Sequence, residues 1–189
     1  MPGKDTELME RLRDGDMDAM TELVEMYQGE LVGYFYHHCW DQAAAEDMAQ
    51  NVFIKVFKAR ERYQVRARVR TYLYRIAHNV WVDHLRRKKN LVSLDAEVGG
   101  DGTALKNLIA AEQEDVMGDD RSAQIRRRVK EAVAELPQGQ QDVFILANNH
   151  EMKYAEISKV LGIPEGTVKS RMHGAVRTLR GKLKDLVDS

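Results

Sequence analysis

Proline stands at only three places in this chain of 189 residues, at positions 2, 137 and 164. Proline removes a backbone donor and clashes with the preceding helical turn, so a long chain with so few of them is free to be helical nearly throughout. Apolar residues recur at the i, i+3, i+4, i+7 spacing that puts them on one face of a helix. That spacing predicts a short helix over 6–13 (Leu8, Met9, Leu12) and a longer one over 19–38, capped by Asp16 or Asp18, with Met20, Leu23, Val24, Tyr27, Leu31, Tyr34 and Phe35 inward. A third, over 43–60, buries Met48, Ala49, Val52, Phe53, Val56 and Phe57. A fourth, over 69–88, faces Leu73, Ile76, Ala77, Val80 and Leu85 inward.

Between the third and fourth, residues 62–70 alternate basic and apolar side chains. No partner strand is evident, so this is read as a basic loop. Residues 91–124 are acidic and contain Gly99-Gly100-Asp101-Gly102, the composition of a flexible linker with room for a short helix at 104–114. Helical patterning returns near Ser122 and is predicted over 138–148, 154–161 and 164–186. The expected fold is all-α. It has two small helical domains, 1–90 and 126–189, joined by a flexible acidic linker, 91–125.

The net charge of −1 conceals strong segregation. Residues 1–54 carry net −9, 55–90 net +10, 91–125 net −6 and 126–189 net +4. Two basic blocks in a nearly neutral chain can hold phosphates without general attraction to polyanions. No apolar run reaches the length of a bilayer span, and no signal-peptide core follows Met1, so a cytoplasmic protein without membrane insertion is expected.

The sharpest local pattern runs from Tyr154 to Arg171. Ala155, Ile157 and Leu161 suit a short packed helix, Gly162 suits a left-handed helix end, and Pro164 suits the first turn of the next helix. In that last helix Val168, Met172, Ala175, Val176, Leu179 and Leu183 share one face, while Thr167, Ser170, His173, Gly174 and Arg177 share the other. Lys169, Arg171 and Arg180 flank the apolar stripe. Hydroxyl, imidazole and guanidinium groups on the second helix of such a pair can reach base edges in a major groove. An amphipathic helix with a merely solvated basic face is the competing reading, and the turn chemistry favours DNA.

In the basic block, Arg75, Asn79, Asp83 and Arg86 fall on one stripe of the fourth helix, with Tyr72, Tyr74 and Trp81 nearby. Cations hold phosphates, an amide reads a base edge, and rings stack on unpaired bases. Each aromatic taken alone fits a core position better than a stacking one.

Three segments together resemble the extracytoplasmic-function sigma factors of bacterial RNA polymerase, which keep only the second and fourth sigma regions. They are Ala45-Glu46-Asp47-Met48-Ala49-Gln50-Asn51-Val52-Phe53; Thr71–Asn79 with Asp83-His84-Leu85-Arg86-Arg87; and Leu136-Pro137 through Arg180. The resemblance covers about 8–90 and 126–186. It implies that Asp47, Gln50 and Asn51 dock on core polymerase. It assigns Arg66, Arg68, Arg70, Arg75, Asn79, Asp83, Arg86 and Arg87 to reading and melting the −10 element. It assigns Thr167, Lys169, Ser170, Arg171, His173 and Arg177 to the −35 duplex. RNA polymerase core, promoter DNA and an anti-sigma factor are the partners it implies. Gly174 and Val176 depart from the family, which commonly has arginine there, shifting weight to Lys169, Arg171 and Arg177.

Neither an enzyme nor a cofactor or metal protein is expected: no phosphate loop, nucleophile elbow or zinc motif is present. The adjacent His37, His38 and Cys39 splay apart on a helix and cannot close on one metal. A lone cysteine excludes an internal disulfide. An autonomous helix-turn-helix regulator is the main rival, but leaves the 46–53 segment and the basic block unexplained. A helical protein-interaction module does not explain a block of net +10.

Overall fold

The computed structural model describes residues 3–64, 68–97 and 120–187. Four helices form the first domain: α1 (Lys4–Arg13), α2 (Asp18–Cys39), α3 (Gln42–Ala59) and α4 (Val69–Glu97). A single 3₁₀ turn, Arg60–Arg62, follows α3. The second domain contains α5 (Asp120–Ala134), α6 (Gln138–Asn148), α7 (Tyr154–Leu161), α8 (Glu165–Lys182) and the short α9 (Lys184–Val187). Among the described residues every element is helical, as the proline spacing predicts.

The inward faces form as patterned. Leu8, Met9 and Leu12 of α1 are buried against Leu23, Tyr27, Leu31, Tyr34 and Phe35 of α2. Met48, Ala49, Val52, Phe53 and Val56 of α3 close the same core with Val69, Leu73, Ala77 and Val80 of α4. Phe57 departs from its expected burial and is 37% exposed. Tyr74 and Trp81 are core residues, so their rings are not available to stack on a base.

Caps set the helix starts. Asp41 accepts a hydrogen bond from the Ala44 amide at the head of α3. Asp16, two residues before α2 begins, accepts from the Asp18 amide. Trp40, ending α2, takes a left-handed conformation (φ 56°) that turns the chain sharply into α3.

Three helix ends differ from expectation, the first being the last long helix, expected over 164–186, which stops at Lys182 with Leu183 as its cap before the separate turn Lys184–Val187. The fourth helix continues through Leu91–Glu97, where linker was expected, and α5 begins at Asp120 instead of near Ser122. The apolar, low-glycine run Leu91-Val92-Ser93-Leu94 holds nothing that ends a helix. The remainder of the expected linker, including the short helix at 104–114, lies outside the described residues.

In the second domain α7 and α8 form the helix-turn-helix. Gly162 sits at φ 66°, and Ile163 donates its amide to the Ser158 carbonyl. The Ser158 hydroxyl donates in return to the Ile163 carbonyl at 2.6 Å. Pro137 and Pro164 each stand directly before a helix, their carbonyls accepting the first helical amides. Ion pairs Arg128–Asp185 and Lys182–Glu135 tie α5 to the end of the chain. The two domains are packed on one another, with α2 and α4 against α6 and α7, so that Val143, Leu146, Met152 and Ile157 continue the core of the first domain.

Candidate nucleic-acid and polymerase interface

The third helix turns one strip to solvent. Asp47 and Gln50 are exposed and Asn51 is half-buried, opposite the buried Met48, Val52 and Phe53. The strip continues through Ile54, 51% exposed, to Phe57, over whose ring the Arg60 guanidinium lies at 4.2 Å. A polar head followed by bare apolar side chains is the composition of a protein-docking face. Ile54 escaped the sequence reading because it lies outside the buried stripe. Its spacing from Gln50 and Asn51, i+4 and i+3, carries the signal.

The fourth helix presents Arg75, Asn79, Arg86 and Arg87 to solvent. Asp83 is half-buried and 3.7 Å from Arg86, one turn along. Beside Arg75 opens a cleft of about 700 Å³, walled by Arg62, Tyr63, Gln64, Thr71 and Tyr72. That volume lies in the range of small-molecule sites. Burial raises the pKa of both Tyr63 and Tyr72, so both stay neutral donors at its wall. The Tyr63 hydroxyl is buried without a hydrogen-bond partner among the described residues. Arg62, Tyr63 and Thr71 were missed because they belong to the loop and helix start, where periodicity carries no information.

Arg68 and Arg70 point elsewhere. Arg68 donates to Glu156 on α7 at 3.1 Å. Arg70 donates to Glu30 at 3.0 Å and to the His150 carbonyl at 2.8 Å. The structure thus brings Arg75, Asn79 and Arg86 together on one face and turns Arg68 and Arg70 toward the second domain. Arg66 lies outside the described residues.

On α8, Lys169, Ser170, His173 and Arg177 are exposed and Thr167 is half-buried near the helix start. Ser170 donates its hydroxyl to the Thr167 carbonyl at 3.0 Å. Val168, Met172, Ala175 and Leu179 face inward, as patterned, but Val176 is 42% exposed. It shares a groove with Phe144, Leu179 and Leu183. Ala155 of α7 is exposed too, while Ile157 is buried.

Arg171 is half-buried. Its guanidinium lies against the start of α6, where a Cβ added to Gly139 would sit 2.9 Å from it. Gly174 faces the Gln140 amide, 2.8 Å from where its own Cβ would be. An arginine at 174 would have to displace the end of the Gln140 side chain.

His37 and His38 diverge: His37 faces Trp40, while both ring nitrogens of His38 meet oxygens, the Tyr34 carbonyl at 2.8 Å and Asp142 at 3.1 Å. Burial raises the Cys39 thiol above its usual pKa, which leaves it a poor nucleophile. Among the described residues no helix is long and apolar enough to cross a membrane.

Comparison with known proteins gives a consistent answer. Residues 23–91 match the Sigma-70 region 2 family and residues 126–179 match Sigma-70, region 4. The ECF RNA polymerase sigma factor SigW of Bacillus subtilis is 32% identical over 94% of this chain and 96% of its own length. The RNA polymerase sigma-H factor of Pseudomonas aeruginosa is 30% identical over 97% of this chain and 96% of its own. Two solved structures share the fold. CnrH, solved with the cytosolic domain of CnrY, has a TM-score of 0.66 at 20% identity and covers 97% of both chains. RpoE of Bartonella quintana, solved with the anti-sigma factor NepR, has a TM-score of 0.68 at 19% identity, over 87% of this chain and 96% of the other.

Proposed function

Because the chain belongs to the extracytoplasmic-function family of RNA polymerase sigma factors, we propose a division of labour among its surfaces. The protein directs core polymerase to specific promoters and promotes initiation. In the proposed division, Asp47, Gln50 and Asn51, extended by Ile54 and Phe57, dock on polymerase. Arg75, Asn79, Arg86 and Arg87, with Arg70 in the first turn of α4 and Arg66 and Arg68 of the preceding segment, engage the −10 strand. The cleft beside Arg75 receives an unpaired base. Lys169, Ser170, His173 and Arg177 face the −35 duplex, with Thr167 at the helix start and Arg171 bracing α8 on α6.

The observation that carries this reading is the exposed stripe of Arg75, Asn79 and Arg86 bordering a cleft walled by neutral tyrosines. Flipping a base costs a few kcal/mol of stacking and pairing, which a fitted pocket and phosphate contacts offset. The chain acts by binding alone, without catalytic residues, cofactor or metal of its own, in the cytoplasm where polymerase works. Structural neighbours bound to CnrY and to the anti-sigma factor NepR support a comparable regulator here, covering the polymerase-docking faces.

Co-purification with core polymerase tests the docking face. Asp47→Arg reverses one exposed charge, so it should abolish co-purification and leave helical circular dichroism unchanged. Retained binding would remove α3 from the interface.

A further inference from the structure

One side chain beside the exposed face of α8 comes from another helix. Gly174 lies between Ser170, four residues before it, and Arg177, three after, and both of those are exposed. Glycine leaves that stretch of α8 without a side chain of its own. Gln140 of α6 takes the space: a Cβ added at 174 would stand 2.8 Å from its Nε2 and 3.1 Å from its Cδ. The Gln140 amide thus falls in line with Ser170 and Arg177, at the one turn where α8 supplies nothing.

The backbone beneath this amide is firmly held. The Pro137 carbonyl accepts the backbone amides of Gln140 and Gln141 at 2.7 and 3.0 Å, which sets the first turn of α6. Asp142 accepts from the Gln138 side chain at 2.7 Å and meets the His38 ring at 3.1 Å. The Arg171 guanidinium lies across Gly139, so α8 itself braces the residue before Gln140. A side chain on so fixed a base needs little further ordering to meet a ligand. Its polar end is unpaired. The Oε1 is buried without a partner, and the Nε2 makes no hydrogen bond among the described residues. An amide oxygen held away from water without a partner is costly, and a ligand that pairs the group recovers the loss.

We propose that Gln140 is a specificity-determining residue of −35 recognition, reaching the base edges past Gly174 from outside the recognition helix. This rests on the assignment of α8 to the −35 duplex. A side-chain amide both donates and accepts, and its terminal torsion is broad. It therefore matches the N7 acceptor and N6 donor that adenine shows in the major groove. An arginine at 174 would fork onto a guanine or hold a phosphate instead. Gln140 lying over Gly174 changes which base this face selects.

Holoenzyme carrying wild type, Gln140→Leu, Gly174→Ala, the Gln140→Leu/Gly174→Ala double variant or Lys169→Ala is bound to a promoter library randomised through the −35 element. Leucine is of similar size to glutamine and removes its hydrogen bonds. Wild type should prefer adenine at one position by about fivefold or more. Gln140→Leu should lose that preference and keep those at the other positions. Gly174→Ala should weaken the same preference, because its methyl group displaces the amide, and the double variant should go no further than Gln140→Leu alone. A profile unchanged by Gln140→Leu overturns the inference. So does a loss equal on every sequence, which would place Gln140 on a phosphate. Lys169→Ala tells the two failures apart. If it weakens binding while Gln140→Leu changes nothing, the −35 assignment stands and the role of Gln140 is rejected. If neither changes binding, α8 does not read the −35 duplex and both are rejected. If Gln140→Leu loses helicity by circular dichroism, Gly174→Ala decides, and an unchanged adenine preference then counts against Gln140.

Discussion

The Tyr74 hydroxyl and the His150 Nδ1 lie 2.7 Å apart across 76 positions of sequence, joining α4 to the turn before the helix-turn-helix. Because Tyr74 also donates to Glu30, the proton of this contact belongs on His150, leaving its buried Nε2 bare. One hydrogen bond thus reports on whether the two domains are together.

That arrangement makes stability depend on pH. Burial is the main cause that holds the His150 imidazole down at about 3, and His37, Arg70 and His38 push the same way. Tyr74 and Glu30 complete its surroundings. When the junction opens or the chain unfolds, the ring regains an ordinary pKa near 6.5. The open form then binds the extra proton, so closure is fully favoured above about pH 6.5 and is progressively lost as pH falls toward 3. His37 and His78, lowered chiefly by burial, act in the same direction. Urea midpoints taken from pH 7.5 to 5.5 should fall for wild type, and more gently for His150→Asn. Equal slopes would exclude His150 as a source.

Two glycines should respond oppositely to alanine. Gly162 holds the left-handed end of α7 at φ 66°, a conformation that costs an L-residue about 1–2 kcal/mol, so Gly162→Ala should destabilise by about that much. Gly29 lies exposed within α2 with open space around its missing Cβ. Gly29→Ala should stabilise by about 0.5–1 kcal/mol through reduced backbone entropy in the unfolded chain. Urea denaturation at pH 7.5 measures both.

Recognition by α8 separates into specific and general contacts. Arg177 is exposed on the face carrying Ser170 and His173. If it forks onto a guanine, Arg177→Ala loses about 1–3 kcal/mol of discrimination at one base pair, whereas Lys169→Ala weakens all sequences alike. Binding of holoenzyme to a library of −35 variants distinguishes them, and a uniform loss for Arg177→Ala would assign it to the phosphates.

Asn79 is expected to act in strand opening. Asn79→Ala should leave −35 binding nearly intact, reduce abortive transcription from duplex promoters, and regain part of that loss on a template whose −10 bubble is already open. If Asn79→Ala and the Arg66/Arg68/Arg70 triple alanine variant both transcribe the duplex at the wild-type rate, this block does not melt DNA.

The helices were legible because long stretches free of proline carry clean apolar periodicity, and the helix-turn-helix because Gly162 and Pro164 punctuate it. The charge blocks marked the surfaces proposed to meet nucleic acid. What stayed hidden depends on contacts distant in sequence. Nothing local says that His38 meets Asp142, or that Arg68 meets Glu156 instead of solvent. Phe57 and Val176 fit an inward stripe by spacing, yet each lies at its edge, where the neighbouring helix decides exposure. Leu91–Glu97 was assigned to linker on the acidity and glycines that follow it, although the run itself supports a helix.

Transcription by purified core polymerase from a pool of genomic fragments, with and without this chain, tests the central claim most directly. Transcripts that start at discrete sites sharing two upstream elements, and only when the chain is present, are the predicted result. Identical start sites with and without it, or specific duplex binding by the chain alone with no effect on initiation, would contradict its assignment as a promoter-directing subunit.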